Sequence, residues 1–82
     1  MKHVAVMGAG SWGTVFSMIL ADAGCDVSLW ARSSDIADEI NAKRINSLYH
    51  PNVKLPQNVK ATNNPDEALT DADLVKIGRA HV

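Results

Sequence analysis

Residues 3–30, HVAVMGAGSWGTVFSMILADAGCDVSLW, change hydrophobic period twice, and that change constrains the fold more than any other feature of the chain. The apolar run from His3 to Met7 stops at Gly8, as a strand buried on both faces does on entering a turn. From Ser11 the residues Trp12, Phe16, Ile19, Leu20 and Ala23 recur at spacings of three and four, the stripe expected of a helix laid on a sheet. Gly24 is placed to close that helix in the left-handed conformation. Residues 26–31, DVSLWA, set Val27, Leu29 and Ala31 against Ser28 and Trp30 and read as a second strand. Strand, glycine loop, helix and strand make a βαβ unit with a right-handed crossover.

The rest of the chain repeats the alternation. Asp35 is expected to cap a second helix, with Asp38 at its third position, Ile36 and Ile40 on its inner face and Glu39–Lys43 as an i,i+4 ion pair. That helix is expected to end near Asn46. The following SLYHPNVKLPQN, with two prolines and two asparagines, reads as a surface loop. VKAT at 59–62 is a third short strand. In NPDEAL, Asn64 is the predicted cap, Pro65 the first helical residue and Glu67 the residue reaching back. ADLV then begins a fourth strand. The order βαβαβαβ predicts an α/β fold, a Rossmann-type doubly wound parallel sheet truncated after about four strands.

After Val75 the apolar pattern gives way to KIGRAHV. IGRAHV is what a common sequencing adapter encodes in one frame, with the lysine codon completed by the adapter's first bases. The expected organisation is therefore a partial dinucleotide-binding domain over 1–75 and a non-native read-through tail over 76–82, in which Arg79 and His81 carry no function.

Length and charge narrow the chemistry. A chain of 82 residues with a formal charge of −1 makes one small domain. Its charges are mixed and it has no basic run, which points away from nucleic acid and anionic membranes and towards a small-molecule site. No stretch approaches the roughly 20 apolar residues of a membrane span. Cys25 is the single cysteine, read as a small buried residue in a reducing, cytoplasmic setting.

Within the βαβ unit, Gly8, Gly10 and Gly13 have the G-x-G-x-x-G spacing of a dinucleotide loop. Gly8 permits the tight turn out of the strand, Gly10 lets the backbone approach a pyrophosphate, and Gly13 lets helix and strand pack closely. The N–H groups of Ser11, Trp12 and Gly13 open the helix at its positive end, where a diphosphate satisfies them. Selection between NAD and NADP falls near the end of the second strand. There ARSS at 31–34 offers no carboxylate for a ribose 2′-hydroxyl, whereas Arg32, helped by Ser33 and Ser34, suits a 2′-phosphate. NADP (NADPH) is therefore the expected cofactor, with NAD still usable; Asp35, the rival determinant, already has a role as a helix cap.

Other chemistry-bearing residues read as structural. Asp71 and Asp73 flank a helix end and a strand start as solvated loop charges, and His3 and His50 have no visible metal partner. Trp30 is expected to pack on the sheet.

VAVMGAGSWGT, VSLWAR, INAKRINSLYHPNVKLPQNVKAT and EAL…DADLV, in this order, resemble the N-terminal domain of bacterial NAD(P)-dependent glycerol-3-phosphate dehydrogenases over residues 3–75. The Ser-Trp insert, the Leu-Trp-Ala-Arg strand end and the Arg-x-Asn-x-x-Tyr-x-Pro loop carry the likeness. It implies reversible hydride transfer between NAD(P)H and dihydroxyacetone phosphate, giving sn-glycerol 3-phosphate for phospholipid synthesis. It also implies that Ser11, Trp12, Arg32 and Tyr49 contact the dinucleotide, and leaves room for a homodimer at full length. His50 and Asn52 depart from the leucine and glycine commoner in this family. The family's catalytic lysine and substrate-phosphate ligands lie beyond these residues, so the chain taken alone is expected to hold the adenosine and pyrophosphate half of the cofactor and to lack activity. Two alternatives stay open: another NADP-dependent reductase of hydroxyacid or ketopantoate type, and a non-catalytic dinucleotide-sensing module.

Overall fold

The computed structural model describes residues 2–77. The elements run β1 (His3–Met7), α1 (Ser11–Asp22), β2 (Asp26–Trp30), α2 (Ser34–Lys43), β3 (Val59–Thr62), α3 (Pro65–Leu69) and β4 (Leu74–Ile77). All strand pairs are parallel and the order across the sheet is β3-β2-β1-β4. The chain winds outward from β1 to β3, then returns past β1 to lay down β4 on its other side. With right-handed crossovers, that reversal places α1 and α2 on one face and α3 on the other. This is the expected doubly wound α/β architecture. Strand β4 continues through Lys76 and Ile77, two residues into the stretch expected to be foreign; residues 78–82 lie outside the described residues.

The core sits under α1 and α2. Val4 and Val6 of β1, Val27 and Leu29 of β2, and Val59 and Ala61 of β3 point to this face and meet Ala21, Ala37, Ile40 and Leu55. The opposite face is thinner: Ala5 meets the side on which Ala68 of α3 is buried.

Helix α1 buries only part of the stripe expected of it: Leu20 packs against the core, but most of the stripe does not. Its buried residues are Gly13, Thr14, Ser17 and Ala21, whereas Trp12 and Ile19 are 51% and 54% exposed. Small side chains let the helix axis approach the strands closely. Thr14 and Ser17 lose no hydrogen bond there, because their hydroxyls donate to the Gly10 and Gly13 carbonyls one turn back. Trp12 and Phe16 instead meet each other, ring centroids 5.8 Å apart. The helix ends as predicted at Gly24, φ +99°, with Gly24 N–H donating to Ala21 and Cys25 N–H to Leu20, a Schellman closure.

Helix α2 corrects three expectations. Its cap is Ser33, whose hydroxyl accepts from the Asp35 N–H, so Asp35 lies inside the first turn. It ends at Lys43, earlier than expected, because Arg44 adopts a left-handed conformation at φ 61°. Glu39 is held mainly by Ser47 instead of Lys43: the Ser47 N–H and hydroxyl donate to its two carboxylate oxygens at 2.9 and 2.7 Å. Those bonds, with a smaller pull from Lys43, hold the Glu39 carboxyl below its ordinary value. Helix α3 is capped by Asn64 as predicted, its side chain accepting from Asp66 and Glu67 N–H, with Pro65 in the first turn. Glu67 does not return the bond, since the Asn64 N–H donates to the Thr62 hydroxyl.

The outer edge of β3 is sealed by side chains of α2 and its end. Asn41 donates to Ala61 O and accepts from Ala61 N–H, both at 2.8 Å, in the manner of a neighbouring strand. The Arg44 guanidinium donates to the carbonyls of Pro56 and Val59.

Candidate functional site

Strand β1 ends where the winding direction of the sheet reverses, and open parallel sheets bind ligands outside the carboxyl ends of their strands at such a point. A cleft of about 660 Å³ lies there, lined by Met7, Gly8, Ala9, Gly10, Ser11, Trp30, Arg32, Ser33, Ile36 and Tyr49. Its volume is in the ordinary range of small-molecule sites.

Of the residues singled out in the sequence, Gly8, Gly10, Ser11, Arg32, Ser33 and Tyr49 converge on this cleft. Trp12 and Gly13 are not among its lining residues; Gly13 is buried against the sheet and the Trp12 ring lies in solvent beside Phe16. Gly8 makes the turn at φ +134°, which disfavours a side chain, and its N–H donates to Trp30 O at 3.0 Å, tying the loop to β2.

Gly10 presents a different case. Its φ of −79° and ψ of −163° are extended backbone that any residue adopts, and no atom stands within 4 Å of where a Cβ would sit. Neither conformation nor packing requires glycine there. The missing side chain leaves room over the first turn of α1, which has no side-chain cap and no acidic residue. The N–H groups at that end are thus open to an anion, with the helix dipole behind them. Arg32 is exposed at the other side of the cleft, past the end of β2, where a guanidinium can pair with a phosphate. The residues present fit a dinucleotide: a bare helix N-terminus for its pyrophosphate and a cation for its adenosine end.

Trp30 lines the cleft and donates its indole N–H to Asn63 O at 3.0 Å, so it serves the sheet and the cleft wall together. The chain segment after α2 contributes more than a surface loop would. Asn46 is fully buried and its Nδ2 donates to Ala9 O and Thr14 Oγ1, at 2.9 and 3.0 Å, pinning the glycine loop from behind. From there the chain turns tightly, His50 N–H donating to Asn46 O at 2.7 Å, and delivers Tyr49 to the cleft. In the sequence Asn46 stands where a helix should stop and within the Arg-x-Asn-x-x-Tyr-x-Pro loop; nothing in a linear pattern reports that it reaches back to Ala9.

His3 and the two aspartates are structural. His3 Nδ1 donates to Asp71 O, a carbonyl that can only accept, and in that tautomer His3 Nε2 accepts from the Ser28 hydroxyl at 2.6 Å. Asp73 accepts from His3 N–H at the start of the sheet. No helix among the described residues is long and apolar enough to cross a membrane.

A parallel α/β sheet with a glycine loop and an uncapped helix at its switch point defines a Rossmann-type nucleotide-binding domain. The chain belongs to the family described as NAD-dependent glycerol-3-phosphate dehydrogenase N-terminus, whose model matches residues 3–81. It is 58% identical over 69 residues to a glycerol-3-phosphate dehydrogenase [NAD(P)+] of Streptomyces avermitilis, covering 84% of this chain and 20% of that one. It is 55% identical over 78 residues to the same enzyme of Corynebacterium kroppenstedtii, covering 95% and 24%. Among solved structures, glycerol-3-phosphate dehydrogenase of Coxiella burnetii superposes with a TM-score of 0.83 at 36% identity, over 90% of this chain and 23% of that one. The chain thus spans about a fifth to a quarter of the length of the relatives it matches.

Proposed function

We propose that this chain is the cofactor-binding portion of an NAD(P)-dependent sn-glycerol-3-phosphate dehydrogenase, a cytoplasmic enzyme reducing dihydroxyacetone phosphate for glycerophospholipid synthesis, and that it takes NADPH in preference to NADH. The observation that carries this reading is the bare N-terminus of α1 under Gly10, facing a cleft whose far side holds Arg32. When bound, the dinucleotide supplies the hydride. The chain's own residues bind and orient it: N–H groups of Ser11, Trp12 and Gly13 receive the pyrophosphate, Gly8 and Gly10 let it approach, and Tyr49 walls the cleft. Arg32 pairs with the 2′-phosphate, and Ser33 stabilises that position mainly by capping α2 beside it.

Hydride transfer also needs the ketone held in near-attack geometry and a proton donor for the developing alkoxide. The residues read as cofactor ligands supply neither, so the chain alone is expected to bind cofactor without turning over dihydroxyacetone phosphate. Titration of the chain with NADPH and NADH, before and after Arg32→Asp, tests the assignment. The expected result is loss of NADPH preference by about tenfold or more, as one charge-assisted phosphate contact is replaced by a repulsive one. An unchanged preference would remove Arg32 from its role.

A further inference from the structure

We infer that His50 is a positioning residue for the dinucleotide's pyrophosphate, acting through Ser11. This rests on the cofactor reading above and adds to it a residue outside the glycine loop. The half-buried His50 imidazole places Nε2 3.1 Å from the Ser11 carbonyl oxygen and 3.3 Å from the Ser11 hydroxyl oxygen. A carbonyl oxygen only accepts, so Nε2 carries the proton and donates to it. The hydroxyl oxygen, on the same side of the ring, is then also an acceptor towards Nε2. Its own hydrogen cannot point back at His50 and is free to be donated elsewhere.

Ser11 lines the cleft and opens α1, where the helix has no other side-chain partner. The consequence is a hydroxyl donor turned out beside the open N–H groups of the first turn, ready for a phosphate oxygen. The backbone at Ser11 is fixed by the same imidazole. His50 is itself held firmly: its N–H donates to Asn46 O, and Asn46 is anchored to Ala9 and Thr14. The segment after α2 therefore grips the pyrophosphate loop at Ala9, Ser11 and Thr14. A leucine at position 50 would keep the packing and supply no donor.

The test compares two small ligands on the chain: ADP-ribose, which carries the pyrophosphate, and 2′-AMP, which carries only the adenosine 2′-phosphate end. His50→Leu is expected to weaken ADP-ribose about three- to tenfold, the range for one oriented hydrogen bond, and to leave 2′-AMP unchanged. His50→Gln, whose amide can donate from a similar position, should restore ADP-ribose binding to within about twofold. In a Ser11→Ala background, His50→Leu should cost little more. ADP-ribose binding unaffected by His50→Leu, a loss shared equally by 2′-AMP, or an undiminished loss in the Ser11→Ala background would each overturn the inference while leaving the cofactor reading standing. Failure of the unsubstituted chain to bind either ligand would overturn both.

Discussion

Helices α1 and α3 begin in opposite ways. At α3, Asn64 accepts two N–H groups, Pro65 removes a third donor, and Asp66 and Glu67 set negative charge against the dipole. At α1, the cap is Gly10 with no side-chain bond, and the first turn carries no acid. The α3 end is satisfied by its own sequence; the α1 end is left for something else to satisfy. Helix α2, capped by Ser33 with Asp35 in its first turn, sides with α3. A helix end without a local cap forgoes about 1 kcal/mol of stability, and on the proposed function that loss at the mouth of the cleft is exchanged for binding.

Giving α1 the kind of cap its neighbours have is the sharpest way to break this contrast. Gly10→Asp places a carboxylate over the first turn, in backbone geometry that tolerates it, and should weaken NADPH by about 100-fold through occupied space and like-charge repulsion, with stability unchanged or slightly raised. Equal NADPH affinity in that variant would show that the helix end is not the phosphate site. Asn46→Leu removes the bonds to Ala9 O and Thr14 Oγ1 and is expected to cost about 2 kcal/mol in urea unfolding, with NADPH affinity falling as the loop loosens. Asn64→Ala strips the cap of α3 and should cost about 1 kcal/mol of stability while leaving NADPH affinity untouched. If it weakened binding too, the two helix ends would not be independent.

The smallest effect is on acid stability. Glu39, held below its ordinary value by Ser47, contributes stability that is full above the unfolded-state pKa and is lost as pH falls through the lower folded-state value. Thermal unfolding of the wild type and Glu39→Gln should differ at neutral pH and converge in acid. Parallel curves across that range would mean the Glu39 charge adds nothing to the fold.

The βαβ core was legible because each of its signals is local. Apolar alternation, a glycine at the strand end and Asn-Pro before a short helix act through neighbours within a turn or two, and β1, β3, the α1 closure and the α3 cap fell where expected. The errors arose where one local signal competed with another or with distant atoms. Asp35 and Ser33 are both good caps, and only the backbone path out of β2 selects the serine. Trp12 and Ile19 look like core residues by period, yet close approach to the sheet reserves the inner face of α1 for Gly13, Thr14, Ser17 and Ala21.

The cleft divides in the same way. Gly8, Gly10, Ser11 and Arg32 were visible because a loop after the first strand and a cation after the second are brought to one sheet end by parallel topology itself. Asn46 and His50 were not, because their partners lie 37 and 39 positions away and no periodicity encodes a reach of that length. By itself the sequence determined that a strand, a glycine loop and a helix would leave open N–H groups at the helix start, since the spacing of the glycines and the absence of a cap are properties of adjacent residues. Only the tertiary structure decided that the segment after α2 would fold back to hold that loop, because those hydrogen bonds exist only once β3 and its connection have closed against α1.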